Sequence, residues 1–243
     1  MLVAAAELID PFSLKHHPRW DPRRLLPTIK WRLIELEARV NFTRYCLPLK
    51  EVPVLPATKC YDGTNTAVTE LQARYLLAAV EATEGMVQTV IVEIGSYRGA
   101  TTRLLALATK RQVVAVDPFI GYGGSMQDYK IFRLATSSLS NVVHIHATSG
   151  RTLQDWAFGP IGLLFIDSVH DWANTWFDLV GWSRQVTPGG LIALHDTDSR
   201  CFAGARKAAF RFASCCELFA HTPDLTILRR SCGIGRADAG VGH

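Results

Sequence analysis

Between residues 89 and 230, short apolar runs alternate with longer amphipathic stretches. Runs rich in β-branched residues fall at 89–94, 112–116, 141–146, 161–166 and 191–194. Continuous apolar runs of this length, bounded by turn residues, read as parallel strands buried on both faces. Helical periodicity fills the gaps, at about 100–110, 126–139, 151–157, 171–186 and 202–213. Five βα units in succession predict a parallel sheet with helices on both sides. The last two runs, Cys216 to His221 and Leu225 to Arg229, are separated only by Thr222-Pro223-Asp224. No crossover helix fits there, so these two strands must form an antiparallel hairpin. The expected fold is α/β, a mostly parallel seven-stranded sheet ending in that hairpin.

Ahead of the first strand, Ala67 to Glu84 reads as a helix. Thr69-x-x-Gln72 is a capping box at its start, Leu71, Tyr75 and Ala78 form its apolar face, and Gly85 stops it. Residues 47–66, with Pro48, Pro53, Pro56 and the Asp62-Gly63 turn, read as a loop. Earlier still, Pro27 suits the first turn of a helix on which Leu26, Ile29, Leu33, Leu36 and Val40 recur at spacings of 3, 4, 3, 4. That narrow seam either packs on the chain's own domain or pairs with a second subunit, which makes a homodimer through this helix an expectation. Residues 1–24, with three prolines and no sustained periodicity, read as an irregular arm. The pattern thus divides into an arm and helical extension at 1–66, an α/β domain at 67–230, and a glycine-rich tail at 231–243 expected to be loose.

Composition narrows the function. Hydrophobic residues make up 48% and charged residues 20% of 243, as in an ordinary globular protein. A net charge of +4 from scattered basic residues gives little reason to expect a nucleic-acid partner. No apolar run approaches the ~20 residues needed to span a bilayer, and the opening residues lack the basic start of a signal sequence. Six cysteines without CxxC spacing suggest free thiols in a reducing cytoplasm. A cytoplasmic protein without a membrane partner is expected.

The candidate chemistry sits where the strands end, because ligands of such sheets bind beyond the strands' carboxyl ends. The first strand runs through Glu93 into Gly95-Ser96-Tyr97-Arg98-Gly99, and Thr101 follows at the head of the next helix. Strand, glycine turn and helix form a cradle that brings backbone close to a nucleotide. Its GxxxG spacing is not the GxGxxG of pyrophosphate binders, and no GK[ST] follows, so a nucleotide-like cofactor without phosphates is the better match. Asp117 ends the second strand 22 residues after Gly95. A carboxylate there offers two acceptor oxygens to the two hydroxyls of a ribose. Thr148-Ser149 follows the third strand, Asp167 the fourth, and His195-Asp196 the fifth. Carboxylates ending adjacent strands lie about 5 Å apart, and two such charges favour a bound divalent cation such as Mg²⁺. His195 is either a further ligand or a histidine behind the ligands. His170, three residues after Asp167, titrates in the range of a general base. His144 and His146 share one face of a strand with no third ligand near, and read as structural. Tyr122 and its neighbouring glycines could close over a cofactor or merely connect.

Four phrases in order, Glu-Ile-Gly-Ser-Tyr-Arg-Gly-Ala-Thr-Thr (93–102), Val-Asp-Pro-Phe (116–119), Phe-Ile-Asp-Ser-Val-His (165–170) and Thr-Pro-Gly-Gly-Leu-Ile-Ala-Leu-His-Asp (187–196), give the chain a specific likeness. Over about residues 85–230 it resembles the class I S-adenosylmethionine-dependent methyltransferases, whose fold is Rossmann-like. Within them it looks most like the small-molecule O-methyltransferases related to macrocin O-methyltransferase and the cephalosporin-hydroxylase group. The resemblance implies cofactor contacts at Glu93, Gly95, Ser96, Tyr97, Gly99, Thr101, Asp117, Pro118, Phe119, Ser149 and Asp167. It implies metal ligation by Asp167 and Asp196, with His195 standing where the family often has another carboxylate, and a catalytic base at His170. The activity implied is transfer of a methyl group to a hydroxyl of a small molecule such as a sugar or catechol. Two alternatives keep the cofactor: a metal-independent enzyme using a histidine base, and a non-catalytic cofactor-binding protein.

Overall fold

The computed structural model describes residues 8–54, 61–121 and 124–231. Seven strands form one sheet in the order β3-β2-β1-β4-β5-β7-β6. Strands β1 (Val90–Ile94), β2 (Val113–Val116), β3 (Val142–Ile145), β4 (Ile161–Ile166) and β5 (Val186–His195) run parallel. β6 (Cys216–Thr222) and β7 (Leu225–Arg230) form the expected hairpin, and β7 inserts between β6 and β5, antiparallel to both. Register places Glu93 of β1 beside Ala115 of β2 and Phe165 of β4. Asp117, Asp167 and Asp196 therefore leave the sheet on one rim.

Side chains alternate across the pleat, so each strand feeds two cores. Ile91, Val113, Leu163 and Leu191 pack under α2 (Glu70–Ala82) and α3 (Ala100–Leu107). Val92, Val114, Leu164 and Ile192 pack on the other face against α6 (Trp172–Trp182) and α7 (Ala203–Ala213). Trp31 and Ile34 of α1 (Pro22–Val40) join that second core. Each fully buried aliphatic side chain contributes roughly 1.5–3 kcal/mol, and double burial is what makes β1, β4 and the inner part of β5 continuous apolar runs. Two shorter helices, α4 (Met126–Thr136) and α5 (Ser149–Gln154), complete the alternation.

Several boundaries differ from the sequence reading. α1 starts at Pro22, so the arm is not irregular up to residue 24 and Pro27 lies inside the helix. Asp21 is the reason: its carboxylate accepts from the N–H of Arg23, and Pro22 occupies the first helical position, which together make a better start than Pro27. The arm also contains a 3-10 turn at Ser13–His16. The seam does not pack on its own domain. Leu26, Leu33, Leu36 and Val40 are each at least 60% exposed, while Trp31, Ile34 and Ala38 face the core. On α2 the capping box forms in both directions, but Leu71 points to solvent and Gln72 points inward. β5 extends back to Val186 through Thr187-Pro188-Gly189-Gly190, and α5 starts at Ser149 rather than 151. Cys46, Cys201, Cys215 and Cys216 are free thiols. Cys60, Cys232, the Tyr122 part of its loop and the tail beyond Ser231 lie outside the described residues. Among the described residues no helix is long and apolar enough to cross a membrane.

Candidate active site

The turn after β1 is shaped by close approach. Gly95 has φ +89°, and a Cβ there would run into the backbone carbonyl of Asp167 at the end of β4. Gly99 has φ +78° and opens α3, where a Cβ would press 2.8 Å from Phe132. Between them Tyr97 is held at φ +46°, a left-handed conformation that costs a bulky residue about 1 kcal/mol or more. The Tyr97 N–H donates to Asp117 Oδ2 at 3.0 Å, and the Phe119 N–H donates to Asp117 Oδ1 at 2.8 Å. Both carboxylate oxygens are thereby fixed in place. Burial raises the Asp117 pKa, against these backbone N–H groups, which favour the charged form. Glu93, 1% exposed, is raised well above the ordinary carboxylate range by burial, although the Thr102 hydroxyl donates to it.

These residues open onto a cavity of about 680 Å³. Glu93, Gly95, Ser96, Tyr97, Thr101, Asp117, Pro118, Ser149, Asp167 and His170 all line it. Gly99 and Phe119 do not. Phe119, at φ +48°, turns instead into an aromatic cluster with Tyr129, Phe132 and His144, at ring separations of 5.0, 5.9 and 5.6 Å. Burial in that cluster lowers the His144 pKa to about 4, which leaves the ring neutral and structural.

The cavity wall also contains residues the sequence reading did not select. Thr66 Oγ1 lies 3.0 Å from Thr101 Oγ1. Phe12 reaches the wall from the N-terminal arm, and its N–H donates to the Asp10 carboxylate at 2.8 Å. Asp178, 2% exposed on α6, accepts from the hydroxyls of Ser149 at 2.6 Å and Ser168 at 2.9 Å. Burial pushes its carboxyl up to about 7, against those two donors. An Asp within the apolar run Trp176-Phe177-Asp178-Leu179-Val180 was a visible signal for this residue. For Phe12, in an arm without periodicity, there was none.

Beside the cavity, two carboxylates and two histidines meet. His170 Nε2 lies 3.2 Å from Asp196 Oδ2 and 3.6 Å from Asp167 Oδ1. Asp196 adopts φ +57°, which swings its carboxylate back toward β4. Asp167, His170 and Asp196 each offer a ligand atom within 4.8 Å of the others, a donor set compatible with a divalent cation. His195 stands behind them, 4% exposed, with Nδ1 3.1 Å from Asp167 Oδ1 and 3.5 Å from Asp196 Oδ2. The Nδ1–H does not point along either line, so the contact is an ion pair rather than a directed hydrogen bond. Nε2 faces Gln72 Oε1 at 3.2 Å, an oxygen that already accepts from the Thr69 N–H. Carboxylate oxygens near Nδ1 and an amide oxygen at Nε2 favour the charged form of the His195 ring. Burial opposes that charge, and the carboxylates of Asp167 and Asp196 overcome it, holding the pKa at about 10. Asp196 is correspondingly lowered, its burial outweighed by His195 and then His170.

A brace from outside the α/β domain fixes the loops carrying this cluster. Glu35 of α1 accepts from the Trp172 N–H at 3.0 Å and from the Gly204 N–H at 3.1 Å. One carboxylate thus serves the first turns of both α6 and α7. Trp172 follows His170 by two residues. The loop before α7 carries Phe202, whose ring sits 4.8 Å from that of His170. A side chain at 204 would collide with Glu35 and with the Trp172 N–H, which is why glycine stands there.

Residues 92–197 match the family model described as a methyltransferase domain. The α/β core carries a methyltransferase domain. Solved methyltransferases share its architecture. The O-methyltransferase NovP is 18% identical, with 84% of this chain and 99% of that chain covered at a TM-score of 0.53. CalS11, a TDP-rhamnose 3'-O-methyltransferase of calicheamicin biosynthesis, is 19% identical over 80% of this chain and 93% of its own, at 0.52. TomG from Streptomyces achromogenes, solved with S-adenosylmethionine, is 15% identical over 80% and 96%, at 0.50. At these identities the likeness is one of fold. No curated protein matches the chain in sequence. S-adenosylmethionine is the cofactor that the family match and these neighbours support. The residues fit it: Gly95 leaves room against the backbone, and Asp117 presents two fixed acceptor oxygens beyond β2.

Proposed function

We propose that this methyltransferase acts on a hydroxyl group of a small molecule, with a divalent cation at Asp167, His170 and Asp196. The observation that carries the reading is that Asp167 belongs to both places: it lines the cofactor cavity and is one of three converging donors beside it. An acceptor bound at the cluster would therefore lie next to the donor. The cofactor supplies a methyl group on a sulfonium, which is already a good leaving group, and the cation a Lewis acid that makes a hydroxyl more acidic. What remains for the chain is placement. The Gly95–Gly99 turn and Asp117 orient the donor, while Asp167 and Asp196 orient the acceptor; alignment of this kind lowers a barrier by several kcal/mol. Vicinal hydroxyls, as in sugars and catechols, suit such a cluster because both oxygens can be engaged.

A second reading is favoured by His195. Its Nδ1 lies 3.1 and 3.5 Å from the two carboxylates, where a charged ring neutralises part of the charge that would draw a cation. In that version no metal is needed, and the His170 ring, neutral and free at Nε2 once that nitrogen turns from Asp196 to the acceptor, takes the hydroxyl proton. The two versions differ at one atom, because His170 Nε2 can donate to a cation or accept a proton but not both at once.

The test is release of S-adenosylhomocysteine from S-adenosylmethionine across a panel of sugars and phenols, before and after dialysis against a chelator. Turnover that falls on chelation and returns with Mg²⁺ or Mn²⁺ supports the first reading. Turnover untouched by the chelator refutes it in favour of the second. A chain that fails to bind S-adenosylhomocysteine in calorimetry contradicts both and leaves a non-catalytic role.

A further inference from the structure

Helix α1 has two apolar faces. Trp31, Ile34 and Ala38 lie on one of them, toward the core and helices α6 and α7, and the other is in water. Leu26, Ile29, Leu33, Leu36 and Val40 are 66, 46, 62, 60 and 72% exposed. They form a single stripe about 21 Å long on a helix whose rise is 1.5 Å per residue. Monomeric proteins rarely leave so many large aliphatic residues contiguous and bare, since a patch of several hundred Å² marks an interaction site. Among the described residues, Leu8 and Ile9 line a groove with only the first of them, Leu26.

We infer that this seam is a homodimer interface in which α1 pairs antiparallel with α1 of a second copy, about a twofold axis at Leu33. Three observations select a second copy of this chain. First, the spacing 3, 4, 3, 4 is the a/d repeat by which two helices interlock side chains, narrower than a face meant for a membrane surface. Second, the stripe is close to symmetric about Leu33. In an antiparallel pair Leu26 meets the partner's Val40, Ile29 meets the partner's Leu36, and Leu33 meets itself, so every seam residue finds an aliphatic mate. Third, the charges beside the seam complement each other on one side. Among the described residues exposed Lys30 forms no ion pair, and the same twofold axis sets it twice over near the partner's Glu37, a carboxylate that also meets Lys207 of its own chain. Arg32 approaches its own mate on the outer flank, where solvent screening keeps the cost small. The area suffices. The five seam residues leave roughly 500 Å² exposed per copy, so pairing removes roughly 1,000 Å² before flanking residues are counted, the lower bound of a specific interface.

The test is sedimentation equilibrium on the full chain, alone and as Leu33→Glu and Lys30→Glu. Both side chains are exposed, so unchanged thermal melting and circular dichroism will report intact folding. A wild-type dimer, a monomeric Leu33→Glu and a dimer weakened roughly three- to tenfold in Lys30→Glu are expected. A wild-type chain that stays monomeric at every soluble concentration overturns the proposal, whether its own first residues or an anionic vesicle covers the seam instead. A dimer that survives Leu33→Glu unchanged overturns it equally, because another surface then holds the copies together. A Lys30→Glu dimer of wild-type affinity overturns the antiparallel pairing.

Discussion

Asp178→Asn is expected to stabilise the protein at pH 8 and to lose that advantage as the pH falls toward 4. Asp178 is 2% exposed, and burial holds its carboxyl at about 7 rather than 3.8. A folded-state value above the unfolded one means that the folded chain retains a proton the unfolded chain has released. Stability from this group is therefore complete below about pH 4, declines from there to about pH 7, and is fully lost above it. The gap of about 3 between the two values corresponds to about 4 kcal/mol at 1.36 kcal/mol per pKa unit, an upper bound that local relaxation and water entry reduce to about 2 kcal/mol. Asparagine keeps the shape and still accepts from one of the two hydroxyls, Ser149 or Ser168, without a charge to desolvate. Urea unfolding of both proteins at pH 5, 6, 7 and 8 measures the difference directly. A difference independent of pH, or a variant less stable than wild type at pH 8, refutes the reasoning. Affinity for S-adenosylhomocysteine should move the other way, weakening in the variant, because the destabilising carboxylate stands in the cofactor cavity wall.

Gly95→Ala should abolish binding of S-adenosylhomocysteine by calorimetry or leave the chain unfolded by circular dichroism, since it combines a left-handed backbone with a clash against the Asp167 carbonyl. Glu35→Ala leaves the N–H groups of Trp172 and Gly204 without their acceptor and should cost about 2–4 kcal/mol in urea unfolding. Glu35→Gln retains one acceptor oxygen and should recover about half of that, and equal losses in the two variants would count against the bracing role. Phe12→Ala should weaken S-adenosylhomocysteine binding about tenfold, the loss of roughly 1.5 kcal/mol of apolar contact, with little change in melting temperature. An unchanged affinity would show that the arm does not touch the bound cofactor.

The fold was legible because its signals are local. β1, β4 and the core of β5 are buried on both faces, so they appear as unbroken apolar runs, and the two residues between β6 and β7 leave no option but a hairpin. Boundaries were less legible where two start signals compete. Asp21-Pro22 and Pro27 both announce a helix, and only the capping bond from the Arg23 N–H to Asp21 decides between them. For α1 the sequence left two fates open for the 3, 4, 3, 4 stripe, its own domain or a second subunit, and the less conspicuous Trp31, Ile34 and Ala38 are the residues turned toward the core. Periodicity reveals an apolar face and does not say which apolar face the fold uses.

The candidate site divides along the same line. Glu93, Asp117, Asp167, His195 and Asp196 could be named from sequence because a parallel sheet delivers the ends of its strands to one rim. What each of them does depends on partners far away in the chain. Gln72 on α2 meets His195 Nε2 across 123 residues, while the carboxylates of Asp167 and Asp196 raise the pKa of that ring against its burial. Glu35 sets the helix starts that carry His170 and Phe202 from 137 and 169 residues away. Both supports come from segments before the matched domain, which begins at residue 92. The rim carboxylates and histidines lie within the α/β core, and the earlier segments supply a wall residue, Phe12, and the Glu35 brace. If α1 also joins two copies, its inner face braces the site while its outer face holds the partner, and loss of the dimer would reach the site through Glu35.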